Sequence, residues 1–144
     1  MSGLLRDVFA DTAYWIALVV KQDQYHRRAQ AWTSHVTGQI TTTAAVLLET
    51  ANALSREAWR ASAVALIENL RGRADVVIVP LEPVLWERGW ELYRSRADKA
   101  WSLTDCVSFV VMQQAGLTDA LTADEHFRQA GFRAVLLEDP PAGV

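Results

Sequence analysis

The chain has 144 residues, of which 51% are hydrophobic and 22% are charged, and its formal net charge is −3. This length suits one domain with a sizeable core, and the composition excludes an intrinsically disordered chain. The net acidity argues against a protein that binds nucleic acid through bulk positive charge. The single cysteine, Cys106, excludes an internal disulfide and fits a reducing compartment.

The amino-terminal segment predicts neither a membrane anchor nor a secretion signal. Its longest apolar run, residues 13–20, is too short to span a bilayer. The residues before this run carry one arginine followed by two acids, which does not form a signal-peptide pattern. We therefore expect a cytoplasmic protein with no membrane partner.

Strand-like and helix-like segments alternate along the chain. Short apolar or β-branched segments predict strands at 7–12, 38–43, 75–80, 119–124 and 132–137. Segments of helical character are found at 13–19, 24–37, 44–58, 61–71, 83–96, 103–114 and 125–130. Gly72, Gly116 and Gly131 follow helices that they are expected to end.

This alternation predicts an α/β fold, a three-layer sandwich with a central, mostly parallel five-stranded sheet and helices on both faces. The strands are hydrophobic without clean alternation, as expected when both faces of the sheet are covered. We expect a single domain over residues 1–144. In such sheets, ligands bind beyond the carboxyl ends of the strands, where the strand order reverses.

Four acidic residues stand where this fold would bring them to one edge of the sheet. Asp11 and Asp124 follow predicted strands, while Asp105 begins a helix and Glu49 lies well inside another. Four carboxylates cannot all stay ionised in a small space without a counterion, because each raises the pKa of its neighbours. A hard divalent cation that prefers oxygen ligands, such as Mg²⁺ or Mn²⁺, would relieve this repulsion.

Each acid also has an ordinary structural explanation that the sequence leaves open. Asp11 and Asp124 are good helix N-caps, and Ser102 with Asp105 forms the pattern of a capping box. Glu49 is compatible with a solvent-facing position on an amphipathic helix. Only the joint placement of the four acids favours a metal site over these separate explanations.

The order of the acids and the segments around them resemble the PIN domain, in particular the VapC-type toxins of bacterial toxin–antitoxin pairs. The matching segments span nearly the whole chain and read VFADTAYWIAL, TTTAAVLLETANAL, DKAWSLTDCVSFVVM and ALTADEHFRQAGF. The last two are the most specific. The resemblance implies a PIN-like fold, a metal-dependent ribonuclease activity, a cognate antitoxin as partner and a homodimer.

The same resemblance implies roles for individual residues. Thr12 and Thr104 match positions where a hydroxyl supports the acids, and Asn52 could orient the glutamate. Asp98 matches an acid that recurs beside the site, although an ion pair with Lys99 in a loop is the simpler expectation. The residues that would hold one or two Mg²⁺ or Mn²⁺ ions against an RNA phosphodiester and act in catalysis are Asp11, Glu49, Asp105 and Asp124.

Two other functions remain open, a catalytically inactive PIN-fold module that binds protein and a phosphoryl-transfer enzyme on a similar sheet. No glycine-rich phosphate loop occurs, which argues against nucleotide hydrolysis by that route. A zinc site is not expected, because His26, His35 and His126 are scattered and there is one cysteine. We expect His126 at a helix end or on the surface rather than as a ligand. The sequence does not predict which RNA is cut.

Two further groups of residues have open interpretations. Trp86, Trp90 and Tyr93 recur at helical spacing, and we expect them in the core or at a subunit interface. Several basic residues could contact the RNA backbone, and each is equally compatible with a surface ion pair. They are Arg27, Arg28, Arg94, Arg96, Lys99 and Arg128.

Overall fold

Five parallel strands form the centre of the computed structural model, which describes residues 4–142. The strands are β1 (Val8–Ala10), β2 (Ile40–Thr43), β3 (Val76–Val79), β4 (Asp119–Leu121) and β5 (Arg133–Ala134). Their order across the sheet is β3-β2-β1-β4-β5, and each neighbouring pair is parallel. The predicted five-stranded α/β sheet is therefore confirmed.

Seven α-helices connect or follow these strands within the described residues. They are α1 (Thr12–Val19), α2 (His26–Thr33), α3 (Ala44–Ala53), α4 (Glu57–Gly72), α5 (Pro83–Ser95), α6 (Leu103–Ala115) and α7 (Glu125–Gln129). Because crossovers between parallel strands are right-handed, α1 to α4 cover one face of the sheet and α5 to α7 cover the other. None of the described helices is both long enough and apolar enough to cross a bilayer.

The chain reverses its direction across the sheet around β1. It moves from β1 to β2 and β3, and it then returns to β4 on the other side of β1 and continues to β5. The connections that leave β1 and β4 therefore diverge to opposite faces and open a crevice between the two carboxyl ends. Asp11 directly follows β1, and Asp124 lies shortly after β4. Both residues are thus placed at this crevice by the topology.

Buried aromatic side chains fix the helices that carry the site to the sheet. Trp15 of α1, Phe109 of α6 and Phe127 of α7 are each almost fully buried. The rings of Phe109 and Phe127 meet edge to face, with their centroids 4.9 Å apart. The indole N–H of Trp15 donates a hydrogen bond to Thr42 Oγ1, with 3.4 Å between the two heavy atoms. Burying each of these side chains contributes roughly 1.5–3 kcal/mol to the free energy of folding. This burial keeps the starts of the three helices next to the strand ends.

The predicted helix at 44–58 is wrong, since the structure has two helices there. The first helix, α3, ends at Ala53, and α4 begins at Glu57 rather than at residue 61. Leu54 turns inward and is buried, while Arg56 adopts an extended conformation as the N-cap of α4. The Ser55 hydroxyl bonds back to the Ala51 carbonyl oxygen, a local bond that competes with helical hydrogen bonding.

Two other predicted elements are shorter in the structure. The segment 24–37 is helical only over His26–Thr33. The last predicted strand, 132–137, pairs only over Arg133–Ala134, after which Val135–Leu137 forms a 3₁₀ turn. The Leu136 backbone N–H donates to the Thr122 carbonyl oxygen at 3.0 Å, so the turn still joins β4. An apolar run alone does not distinguish a buried strand from a buried turn.

The aromatic stripe on α5 is not in the core. Trp86 and Trp90 are each 42% exposed, and Tyr93 is 44% exposed. The inward side of the helix instead carries Leu85 and Gly89, which are buried where α5 packs against α6. The core alternative for the stripe is therefore wrong, and the interface alternative stays a prediction.

Candidate active site

One cavity at the carboxyl edge of the sheet is lined by all four predicted acids. Its volume is about 360 Å³, and Thr12 and His126 also contribute to its wall. We call it the acid cavity. The residues that line it are Asp11, Thr12, Ala13, Ile16, Glu49, Ala100, Ser102, Asp105, Asp124 and His126. Side chains from α1, α3, α6 and α7 thus meet at the crevice between β1 and β4.

Asp11 is the most deeply buried of the acids, with 4% of its surface exposed. It occupies the N-cap position of α1, yet its side chain makes no capping hydrogen bond there. Its Oδ2 atom instead accepts a 2.8 Å hydrogen bond from Thr122 Oγ1. Burial raises the pKa of Asp11 to about 7. The charges of Asp105 and Asp124 also raise this pKa, whereas the hydrogen bond from Thr122 lowers it. Asp11 is therefore the N-cap residue of α1 by position, but its side chain does not make the capping hydrogen bond that the N-cap explanation requires.

Asp105 is both a helix cap and a wall of the acid cavity. The Ser102 hydroxyl accepts from the Asp105 backbone N–H at 3.0 Å, and Asp105 Oδ2 accepts from the Ser102 N–H at 3.1 Å. The predicted capping box is thus present. Burial raises the pKa of Asp105, and the charge of Asp124 also raises it, while the hydrogen bonds from Ser102 and His126 lower it.

Asp124, Asp105 and His126 form a compact cluster within the cavity. Asp124 caps α7 by accepting from the His126 backbone N–H at 2.8 Å. The imidazole of His126 places Nδ1 at 3.1 Å from Asp105 Oδ2 and at 3.2 Å from Asp124 Oδ1. One candidate metal-ligand atom from each residue lies within 4.8 Å of the other two. The prediction that Asp124 caps a helix is therefore confirmed. The same carboxylate also lies close to Asp105 and His126.

Glu49 lies at the boundary between the acid cavity and a second cavity, most of whose lining residues are apolar. We call the second one the side cavity, and its wall includes Leu48, Asn52, Trp86 and Thr104 as well as Glu49. Within residues 4–142, no hydrogen bond joins Asn52 or Thr104 to an acid of the site. The supporting roles expected for these two residues stay predictions.

Thr12 lines the acid cavity itself and has an unusual environment. Its hydroxyl oxygen is buried and has no hydrogen-bond partner among the described residues. A buried hydroxyl without a partner is costly, because it has lost its hydrogen bonds to water and gained none in exchange. The site therefore contains a polar atom that the protein alone leaves unsatisfied.

Asp98 does not line the acid cavity. Its carboxylate is exposed and forms a bidentate ion pair with Arg96. The Nε atom of Arg96 lies 2.9 Å from Oδ1 and its Nη2 atom lies 3.0 Å from Oδ2. Arg96 rather than the expected Lys99 is thus its main partner. The hydrogen bonds from Arg96 lower the pKa of Asp98 to about 2.

Sequence reasoning missed two residues of the site. Thr122 joins Asp11 to Asp124, since its hydroxyl donates to the Asp11 carboxylate and accepts from the Asp124 backbone N–H at 3.1 Å. The feature of the sequence that could have indicated Thr122 is its position in the segment ALTADEHF, two residues before Asp124. His126 was expected at a helix end or on the surface, but its ring contacts two of the acids. Nothing local in the sequence predicts that contact.

Most of the basic residues considered for RNA contact form surface ion pairs. Arg28, Arg94, Arg96 and Arg128 pair with Asp139, Glu91, Asp98 and Glu125. Neither Arg27 nor Lys99 has a carboxylate at salt-bridge distance within the part of the chain that the structure describes. Lys99 precedes Ala100, which lines the acid cavity. Arg27 and Lys99 are therefore the two candidates without a salt bridge among the described residues, although the charge of Lys99 also lowers the pKa of Asp98.

The sequence matches the PIN domain family over residues 8–133. This chain belongs to the PIN domain family. A 23S rRNA-specific endonuclease, VapC20 of Mycobacterium tuberculosis, is 30% identical to this PIN domain over 125 residues, which are 87% of this chain and 95% of that protein. The family membership agrees with the parallel sheet and with the acids at its carboxyl edge.

Solved structures show the same fold. The crystal structure of M. tuberculosis VapC20, a toxin that cleaves the sarcin–ricin loop, matches with a TM-score of 0.82 at 29% identity, over 88% of this chain and 97% of that one. VapBC2 of Rickettsia felis, solved with a fragment of promoter DNA, matches with a TM-score of 0.60 at 11% identity, over 88% and 94% of the two chains. This second likeness concerns the fold alone.

Proposed function

We propose that this PIN domain is a metal-dependent ribonuclease of the VapC type, which hydrolyses RNA phosphodiester bonds. The proposal is carried by the acid cavity. Four carboxylates line this one cavity, three from the starts of α1, α6 and α7 and one from within α3. The endonuclease relative, 30% identical over most of both chains, supports the assignment to RNA. An inactive binding module would have no use for such a costly cluster of charges.

The side chains of the cavity fit a divalent cation. Burial, together with the neighbouring carboxylates, holds the pKa values of Asp11 and Asp105 above their usual range, so a bound cation would stabilise their ionised forms. The Thr12 hydroxyl lacks a hydrogen-bond partner at the same place. Carboxylate and hydroxyl oxygens are ligands for hard cations, so we propose Mg²⁺ or Mn²⁺ as the cofactor. The acids that would hold it are Asp11, Glu49, Asp105 and Asp124.

The protein would prepare the site in two ways. Thr122 fixes the rotamer of Asp11 by its hydrogen bond, and the capping box fixes Asp105 against α6. The bound ion would supply a water of lowered pKa and neutralise charge on the scissile phosphate. A carboxylate of the cavity can accept the proton of that water, and in-line hydrolysis would leave a 5′-phosphate and a 3′-hydroxyl.

The RNA backbone would be held by uncommitted positive charge near the cavity. Lys99 adjoins the cavity wall, and Arg27 lies beside Gln24 and Tyr25, which line a further depression that shares Asp124. Phosphate groups bind to such residues through their charge and without base specificity. Substrate choice then depends on the shape of the RNA around the cut. Ribosomal RNA is our first candidate, because the relative is specific for 23S rRNA.

We further propose that the protein acts in the cytoplasm, as a homodimer, and is inhibited by a cognate antitoxin protein. Support for a protein partner comes from the exposed aromatic stripe on α5, because exposed aromatic side chains are enriched at interfaces. Light scattering on the purified chain tests the dimer. A monodisperse monomer at high concentration would exclude it.

Incubation of the protein with total RNA tests the proposed activity. With Mn²⁺ or Mg²⁺ we expect discrete cleavage products, and with EDTA we expect none. Asp11→Asn is the matched inactive control, because it removes one charge with little change of shape. Cleavage that persists in EDTA, or at the wild-type rate in the variant, would reject the proposal.

A further inference from the structure

His126 is the only residue of the acid cavity lining that offers a nitrogen ligand from its side chain. Its Nδ1 atom lies 3.1 Å from Asp105 Oδ2 and 3.2 Å from Asp124 Oδ1. In an octahedral site with bonds of about 2.1 Å, adjacent ligand atoms lie about 3.0 Å apart. The separations from the imidazole nitrogen to the two carboxylates thus match the edges of such a site.

The chemistry of the contact also allows a shared cation. Ionised carboxylates only accept hydrogen bonds, so Nδ1 must carry a hydrogen to contact both of them. With the hydrogen on Nε2 instead, the same neutral ring presents a lone pair at Nδ1. A metal ion could then replace that hydrogen between the three side chains. The nearby Thr12 hydroxyl, buried in the same cavity without a partner among the described residues, independently offers an oxygen atom to the same ion.

We propose that His126 is a direct metal ligand, which completes a mixed set of one nitrogen and two carboxylates with Asp105 and Asp124. This inference rests on the proposed metal-dependent function of the site. An imidazole nitrogen is better suited to transition ions than to Mg²⁺, which prefers oxygen. The nitrogen ligand therefore biases the site toward Mn²⁺, Co²⁺ or a similar ion over Mg²⁺.

The competing explanation is that His126 only positions the two carboxylates. In that case Nδ1 keeps its hydrogen, holds Asp105 and Asp124 together, and never contacts the ion. His126→Asn separates the two roles, because the asparagine amide can replace an Nδ1–H donor but does not supply an imidazole nitrogen. Circular dichroism and a thermal melt show that the variant is folded before metal is added.

Pulsed electron paramagnetic resonance on the Mn²⁺-loaded protein provides the direct test. A manganese ion bound to imidazole shows coupling to the ¹⁴N nucleus, so we expect this coupling in the wild type and not in His126→Asn. We expect His26→Asn to keep it, since the His26 Nδ1 atom contacts the Ala17 carbonyl oxygen on α1 and lies outside the acid cavity. Calorimetry should show that the preference for Mn²⁺ over Mg²⁺ falls in His126→Asn, because the imidazole ligand that favours transition ions is lost.

The possible outcomes separate this inference from the proposed function. Mn²⁺ that binds to the wild type without ¹⁴N coupling overturns His126 as a ligand and leaves the ribonuclease proposal intact. Coupling that survives in His126→Asn, or disappears in His26→Asn, also overturns it. A wild type that binds no divalent ion overturns both the inference and the metal-dependent function.

Discussion

Thr122 Oγ1 donates a 2.8 Å hydrogen bond to Asp11 Oδ2, and the two residues are 111 positions apart in the chain. The same hydroxyl accepts from the Asp124 backbone N–H at 3.1 Å. One small side chain at the end of β4 therefore ties together the acid after β1 and the acid before α7. The crevice between these two strands is fixed by this bridge as well as by the sheet.

Thr122→Val should lower catalytic activity more than stability. The substitution keeps the volume but removes the donor to Asp11, and loss of a residue that orients a metal ligand costs about 10–100-fold in metal affinity or activity. Valine also removes the acceptor of the Asp124 backbone N–H, so two hydrogen bonds are lost, at a cost of about 1 kcal/mol each in the free energy of unfolding. Denaturant unfolding and metal titration measure the two effects. Metal affinity equal to that of the wild type would contradict the role given to Thr122.

Asp11 should make the stability of the metal-free protein fall with rising pH. Burial raises its pKa in the folded state to about 7, from 3.8 in the unfolded chain. The folded state therefore binds more protons between these two values, so the contribution of Asp11 to stability is complete below pH 4 and is lost as the pH rises through 7. Asp11→Asn should remove this dependence, whereas Asp98→Asn should not. Equal pH slopes for the wild type and Asp11→Asn would contradict the burial argument.

Gly89→Ala should loosen the packing of α5 on α6. A Cβ atom at Gly89 would lie 2.6 Å from Val107 Cγ2, so either the Val107 side chain must leave its rotamer or the two helices must move apart. Overpacking of this kind costs about 1–3 kcal/mol in the free energy of unfolding. Gly72→Ala is the matched control, because a Cβ there meets nothing within 4 Å and should leave stability unchanged or slightly higher. Denaturant midpoints distinguish the two, and equal midpoints would contradict the close contact.

Arg27→Ala and Lys99→Ala should each weaken binding of a catalytically inactive variant to RNA. Each substitution removes one uncommitted positive charge, so the slope of log affinity against log salt should become shallower by about 1. Arg71→Ala is a charge-matched control, because Arg71 lies in the last turn of α4, at the opposite, amino edge of the sheet, and pairs with Glu68. Unchanged salt slopes in both variants would place the RNA on another surface.

The sequence predicted the order of the elements and the placement of Asp11, Asp105 and Asp124 at one edge of the sheet, because both depend on local patterns. Strand ends followed by Asp11 and Asp124 are visible without coordinates, and a parallel sheet brings such ends to one edge. The Ser102–Asp105 capping box is likewise a short-range pattern. For these residues, local sequence and tertiary position coincide.

The features that the sequence missed depend on contacts between distant segments. On α5, the residues 85, 89 and 92 satisfy the same helical spacing as 86, 90 and 93, so spacing alone does not select the inward face. The structure selects the face with Gly89, because a glycine lets α6 approach closely. His126 lies in a short polar segment, and only the fold brings its ring to Asp105.

The proposed metal site is tested most directly by anomalous diffraction from crystals of the protein grown or soaked with Mn²⁺. We predict at least one anomalous peak in the acid cavity, about 2.2 Å from carboxylate oxygens that include those of Asp105 and Asp124. Asp11→Asn crystals under the same conditions should show a weaker peak or none. A saturated wild-type crystal with no peak in this cavity would contradict the claim that these acids form a metal site.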